Sequence, residues 1–130
     1  MKPLRRKFKI KNVNTGVYQC DDGGHYYVRT VGNTVWWAGL SNNGDGLAFS
    51  NVFRGKFDDK DDTIKGNWVD VPRGGNLGRG GLTLQVLTPF HFKKIDSSGN
   101  GFGGNDWTFL KASGAGLKRL RRTGKVKRLK

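Results

Sequence analysis

Residues 48–71 read AFSNVFRGKFDDKDDTIKGNWVDV, and the fold follows from how they alternate. In the first half, Phe49, Asn51, Phe53, Gly55 and Phe57 fall on one side, and Ser50, Val52, Arg54 and Lys56 fall on the other. In the second half, Ile64, Gly66, Trp68 and Asp70 share a face, while Thr63, Lys65 and Asn67 look the opposite way. A period of two is the signature of a strand with one buried face. Between the halves stands Asp58-Asp59-Lys60-Asp61-Asp62, a polar turn. The flanking FRGKF and IKGNW are near mirror images, so the whole stretch reads as an antiparallel hairpin.

The same alternation continues in both directions. It predicts eight strands, at 16–21, 25–31, 34–40, 48–57, 63–71, 81–88, 90–95 and 106–112. Phe8-Lys9-Ile10 also alternates and is a candidate ninth, edge strand whose lysines would blunt it. Asp22-Gly23-Gly24 and Gly32-Asn33 supply the positive φ of tight hairpins. Residues 72–80 and 97–105 make two longer loops. No apolar period of 3.6 residues appears between residues 13 and 112. The expected fold is therefore all-β: a single small antiparallel up-and-down β-barrel of about eight strands, because closure removes exposed edges. Basic arms flank it, which divides the chain into arm 1–11, barrel 12–115 and tail 116–130.

Gly-x-aromatic units recur at Gly16-Val17-Tyr18, Gly24-His25-Tyr26, Gly55-Lys56-Phe57 and Gly66-Asn67-Trp68. With the strand number and hairpin order, they make residues 16–112 resemble the calycin type of barrel, the avidin-like and lipocalin-like proteins. That resemblance implies a scaffold able to hold one small ligand. The stretches DGGHYYVRTVGNTVWW (22–37), SNVFRGKF (50–57) and IKGNWVDVPRG (64–74) also look like a bacterial family of small domains with no known activity. Neither resemblance transfers a functional residue.

Composition narrows the function. The 130 residues carry 24 Lys and Arg against 10 acidic residues, all Asp, for a net charge of +14. The surplus sits at the ends. Residues 1–11 hold Lys2, Arg5, Arg6, Lys7, Lys9 and Lys11. Residues 116–130 hold Lys118, Arg119, Arg121, Arg122, Lys125, Lys127, Arg128 and Lys130, and neither segment has an acid. The span between them is formally neutral. Crowded like charges favour an extended, solvated chain and attract polyanions by releasing their counterions. The arms either only solvate the protein or contact nucleic acid, anionic polysaccharide or an acidic membrane surface. No run of 18 apolar residues is present, so no spanning helix is expected. The start MKPLRRKFKIKNVN lacks the apolar stretch of a signal peptide, and Cys20 is the lone cysteine. Both fit a cytoplasmic site, and a leaderless mature form fits as well.

The leading expectation is a non-enzymatic binding module whose partner is RNA, DNA or an anionic polysaccharide. Arg5, Arg6, Lys7, Lys118, Arg119, Arg121, Arg122, Lys125, Lys127 and Arg128 would contact phosphates. Arg73-Gly74-Gly75 and Arg79-Gly80-Gly81 are two Arg-Gly-Gly units, the kind of flexible segment in which Arg stacks on bases. Trp36 and Trp37 are adjacent, so one of them should face outward as a stacking platform, and Trp36 is taken as that one. The alternative is a small-ligand or carbohydrate site inside or at the mouth of the barrel. Its expected lining is Tyr27, Arg29, Trp37, Asn51, Trp68 and Asp70, an aromatic face with a few polar groups.

Other motifs carry less. Asp96-Ser97-Ser98-Gly99-Asn100-Gly101 matches the opening of a calcium loop, but Trp107 stands where the bidentate Glu is needed. Cys20 precedes Asp21 and Asp22, whose charges oppose a thiolate. His25 and His91, the only histidines, have no zinc-type spacing. No catalytic residue, metal or cofactor is expected.

Overall fold

The computed structural model describes residues 9–113. Eight antiparallel strands close into one barrel in chain order. They are β1 Gly16–Cys20, β2 His25–Val31, β3 Thr34–Leu40, β4 Ser50–Asp58, β5 Thr63–Asp70, β6 Arg79–Thr88, β7 His91–Ser97 and β8 Asp106–Lys111. β1 closes the barrel against β8, where Tyr18 pairs with Phe109 and Cys20 with Trp107. No strand forms at residues 9–10, and the closed circuit offers no vacant edge there. Phe8 of the expected ninth strand lies outside the described residues. Several boundaries also differ by one or two residues: β1, β5 and β8 end one residue earlier, β4 runs from Ser50 to Asp58 and β7 starts at His91. β6 begins at Arg79 and β7 runs on to Ser97, because Ser98 N–H donates to Gly81 O and extends the ladder.

Register fixes which side chains point inward. Val28 pairs with Trp37, Trp37 with Phe53, and Phe53 with Trp68. All four are buried. Tyr26, Val35, Ile64, Leu84, Phe92 and Trp107 complete a core that leaves them inaccessible to solvent. The core is largely aromatic. Trp37 stacks on Phe53 with ring centroids 4.3 Å apart, and Phe92 stacks on Trp107 at 5.2 Å. Gly55 and Gly66 face each other across β4 and β5. A Cβ on Gly66 would stand 2.0 Å from the Arg54 carbonyl oxygen, so only glycine lets the two strands approach this closely.

An even number of up-and-down strands has a topological consequence. The chain enters β1 and leaves β8 at the same rim, which we call the base. The turns 32–33, 59–62 and 89–90 lie at the base. The connections 21–24, 41–49, 71–78 and 98–105 lie at the opposite rim, the mouth.

Both openings are covered. At the base, residues 9–14 cross from turn to turn. Lys9 pairs with Asp59 at 3.6 Å, the Asn12 amide donates to Gly32 O, and Asn14 N–H donates to Pro89 O. Val13 is buried and Ile10 packs against the core. So Lys9 and Ile10, which the charge pattern assigns to the basic arm, already lie on the barrel. At the mouth, the 98–105 loop turns Phe102 inward. That ring contacts Tyr26, Trp37, Trp68 and Trp107, nearest to Trp68 at 5.1 Å.

Candidate functional site

Two regions bring chemistry together: the mouth and the outer wall. At the mouth, a cavity of about 150 Å³ is lined by Asp22, Tyr26, Asn51, Trp68, Asp70 and Phe102, among others. β4–β5 pairing sets Asn51 opposite Asp70. Asn51 is buried, and its Oδ1 accepts from Trp37 Nε1 at 2.7 Å. Tyr26 donates its phenol to Asp22 Oδ2 at 2.6 Å. Burial, reinforced by that carboxylate, pushes the Tyr26 phenol far above its ordinary range. Asp70 accepts from Gly78 N–H at 2.8 Å, which holds the 71–78 loop. Trp68 is 5% exposed, and its indole N–H has no partner among the described residues.

Of the six residues expected to line a pocket, Trp37, Asn51, Trp68 and Asp70 lie on the inner face, and the last three line the mouth cavity. Tyr27 and Arg29 do not. Both are exposed on the outer face of β2, because Val28 opposite Trp37 makes the even-numbered residues of β2 the inner set. The adjacent tyrosines 26 and 27 hide that parity. The alternation of Val28 and Arg29 would have revealed it. Asp22 and Phe102 were missed as mouth residues. For Phe102 the available signal was a lone aromatic in a glycine-rich loop.

The outer wall of β2–β5 is organised in rows across the strands. One row runs Arg29, Trp36, Arg54, Asn67 and then Gly81 on β6. The row toward the base includes Lys56 and Lys65, and the row toward the mouth includes Tyr27 and ends at Arg79. Trp36 is 45% exposed, with the Arg54 guanidinium 5.2 Å from its ring centroid. No acid occurs at the outward positions of residues 27–31, 34–38, 52–56 or 65–69. The aspartates lie instead in turns, at strand ends or on β7. A formally neutral barrel is thus electrically lopsided.

Beside this wall, a cleft of about 650 Å³ opens between β5, β6 and the 98–100 loop, lined by Asn67, Arg79, Gly81 and Asn100 among others. The Arg-Gly-Gly units here are not loose chain. Arg79-Gly80-Gly81 opens β6, and a Cβ on Gly80 would stand 2.0 Å from Ser98 O. A Cβ on Gly74 would stand 2.5 Å from the Phe49 backbone. These glycines serve close packing, while Arg73 and Arg79 remain exposed. Arg73 Nε donates to Asp45 O.

Three side-chain oxygens of the calcium-like loop are taken by backbone N–H groups. Asn100 Oδ1 accepts from Arg79 N–H, Ser98 Oγ from Gly81 N–H, and Ser97 Oγ from Phe102 N–H. Among the described residues, no group of three or more His, Cys, Asp or Glu side chains is placed to hold a metal ion. Cys20 is buried. Burial first, then the Asp21 and Asp22 charges, drive its thiol pKa upward. His25 bonds Gln19 Oε1 rather than Cys20, and burial and Lys111 hold its pKa below the usual value. His91 meets Asp106 at 2.6 Å on the exposed surface.

Among the described residues, no helix is long and apolar enough to cross a membrane. The arm residues Arg5, Arg6, Lys7, Lys118, Arg119, Arg121, Arg122, Lys125, Lys127 and Arg128 lie outside the described residues. No protein-family model matches the chain, and neither the curated proteins nor the solved structures give a significant match. The calycin resemblance is therefore supported at the level of architecture, a closed eight-stranded antiparallel barrel.

Proposed function

We propose that this protein is a non-enzymatic binding module for a polyanion, nucleic acid above all, recognised without strong sequence preference. The observation that carries this reading is the outer wall, whose central positions hold no acid, Asp58 standing at its base end, and where Arg29, Arg54, Lys56 and Lys65 flank an exposed Trp36. It adds a basic surface on the scaffold to the charge already concentrated at the two chain ends. Topology supports it too. Because the chain enters β1 and leaves β8 at one rim, the described chain begins and ends at the base, the rim that carries Lys56 and Lys65 beside the acidic 58–62 turn. Sequence-independent phosphate contacts release counterions, so affinity should fall with salt.

The experiment is a salt series with the full chain on RNA, DNA and heparin, repeated with residues 9–113. The expected slope of log affinity against log salt is about 0.7–0.9 per phosphate contacted, reduced on trimming. Full retention of affinity and slope by residues 9–113 would remove the arms from the account. Salt-insensitive binding would remove the polyanion.

A second reading rests on the mouth. The unpartnered Trp68 N–H, with Asp22, Asn51 and Asp70 around an aromatic-walled cavity, suits a small hydroxyl-rich ligand such as a sugar. Its binding would be nearly indifferent to salt and would persist in residues 9–113. Trp fluorescence titration against a panel of sugars tests it, and no response at millimolar ligand counts against it.

A further inference from the structure

We infer that the outer wall of β2–β6 is a stacking platform that selects unpaired bases, so that single-stranded nucleic acid is the preferred polyanion. This rests on the polyanion reading and adds a substrate class to it.

Three features of the wall point to single strands. The first is an accessible ring. Trp36 stands near the middle of the wall, 45% exposed, and among the described residues it is not part of the hydrophobic core. Every base has a π-face, so an exposed indole can stack on any base once that base is unpaired. In a duplex those faces are already stacked on one another, and the ring has nothing to cover.

The second feature is spacing. Neighbouring strands lie about 4.8 Å apart, so the row Arg29–Trp36–Arg54–Asn67–Gly81 spans roughly 19 Å across the wall. Tyr27, 38% exposed, is the diagonal neighbour of Trp36 through Arg29. Diagonal neighbours lie about 7–8 Å apart. Two rings at that distance can take two successive splayed bases, with the Arg29 guanidinium between them for the linking phosphate. On the other side, Arg54 lies over the indole, where it can stack with a base or turn to a phosphate.

The third feature is the end of the row. Gly81 has no side chain at the outward position paired with Asn67, and the 650 Å³ cleft opens there. Its rim carries the Asn67 amide and the Arg79 guanidinium, one suited to a base edge and the other to a phosphate. A strand lying along the row would leave the two rings and pass into this cleft. Charge complementarity supports the same occupant, since the outward positions of β2–β5 named above hold no acid to repel phosphates.

The test measures full-chain binding to a labelled oligo-dT single strand, a duplex of equal length and heparin, at several salt concentrations. The wild type should bind the single strand at least fivefold more tightly than the duplex, with quenching of Trp fluorescence. Trp36→Ala should weaken single-strand binding about tenfold, leave duplex and heparin within twofold, and leave the salt slope unchanged. Trp36→Phe should restore most of the loss. Arg54→Ala should reduce the single-strand slope by about 0.7. Trp36 is a surface residue, and thermal melts of each variant confirm the fold. Equal loss on all three ligands, or no loss on any, overturns the platform while leaving the polyanion reading standing. Failure of every polyanion to bind in a salt-dependent way overturns both.

Discussion

Replacing Phe102 with alanine tests whether the 98–105 loop is structural cover or mere connection. The ring is 6% exposed and meets four aromatic partners: Trp68 at 5.1 Å, Trp107 at 5.9 Å, Trp37 at 6.1 Å and Tyr26 at 6.3 Å. A buried Phe→Ala change costs about 3–5 kcal/mol, from lost transfer energy plus the cavity left behind. A loop can relax into the space more readily than a strand, so the lower end applies, about 3 kcal/mol. At roughly 4 °C per kcal/mol for a domain of this size, the melting temperature should drop by about 12 °C. The loop itself should survive in part, because the Ser98–Gly81 and Asn100–Arg79 hydrogen bonds do not involve the ring. Urea unfolding followed by Trp fluorescence gives the free energy, and acrylamide quenching reports whether Trp68 has become accessible. Phe102→Leu should recover more than half of the loss. If Phe102→Ala costs under about 1 kcal/mol with no change in quenching, the ring does not close the mouth and the packing argument is wrong.

Three further outcomes follow from the same structure. Gly66→Ala should destabilise by roughly 3 kcal/mol or prevent folding, because the new methyl meets the Arg54 backbone, which cannot swing away; a melting temperature within 2 °C of wild type would contradict it. Tyr18 and Tyr26 have phenol pKa values raised in the fold above the ordinary value of 10.0, chiefly by burial. The folded state thus keeps protons that the unfolded state releases, and the buried Cys20 thiol, with an ordinary value of 9.0, acts in the same direction, so stability should be level below about pH 8 and fall above it; a urea midpoint unchanged between pH 8 and pH 11 would refute this. Cys20 should resist a thiol reagent at pH 8 until the protein unfolds, since burial disfavours its thiolate; modification at the rate of a free thiol in the native state would show that the site is open.

The barrel was legible because its strands obey one rule, an apolar inner face of period two, and its turns obey another, positive φ at Gly and Asx. Residues 48–71 satisfy both, and their hairpin forms in the register that their mirror-like halves imply. The same pattern gives the inner faces of β4 and β5, except that Ser50 and Thr63, read as outward, are buried at the starts of their strands. Parity failed on β2, where Tyr26 and Tyr27 give each face a ring; Val28 and Arg29 carry the deciding alternation, which the pairing with β3 bears out. The two covers escape the alternation rule for a different reason. Phe102 and the Ile10–Val13 segment lie in irregular backbone, where no period exists, and their burial depends on chain crossing an opening that alternation does not describe. The outer wall was missed as a unit because its residues come from separate strands. Arg29 and Trp36 face each other across one hairpin, but Arg54 lies 18 residues beyond Trp36 and joins them only through the β3–β4 register.

The meeting of β1 with β8 also makes the starting point of the polypeptide arbitrary. Val17 and Lys111 are ladder partners, and the segments leading into one and out of the other leave from the same rim. A short linker could join them, and new ends could be cut in the 71–78 connection, where Arg73, Asn76 and Leu77 face solvent. A circular permutant of this kind would move the termini from the base to the mouth without altering a single rung of the ladder.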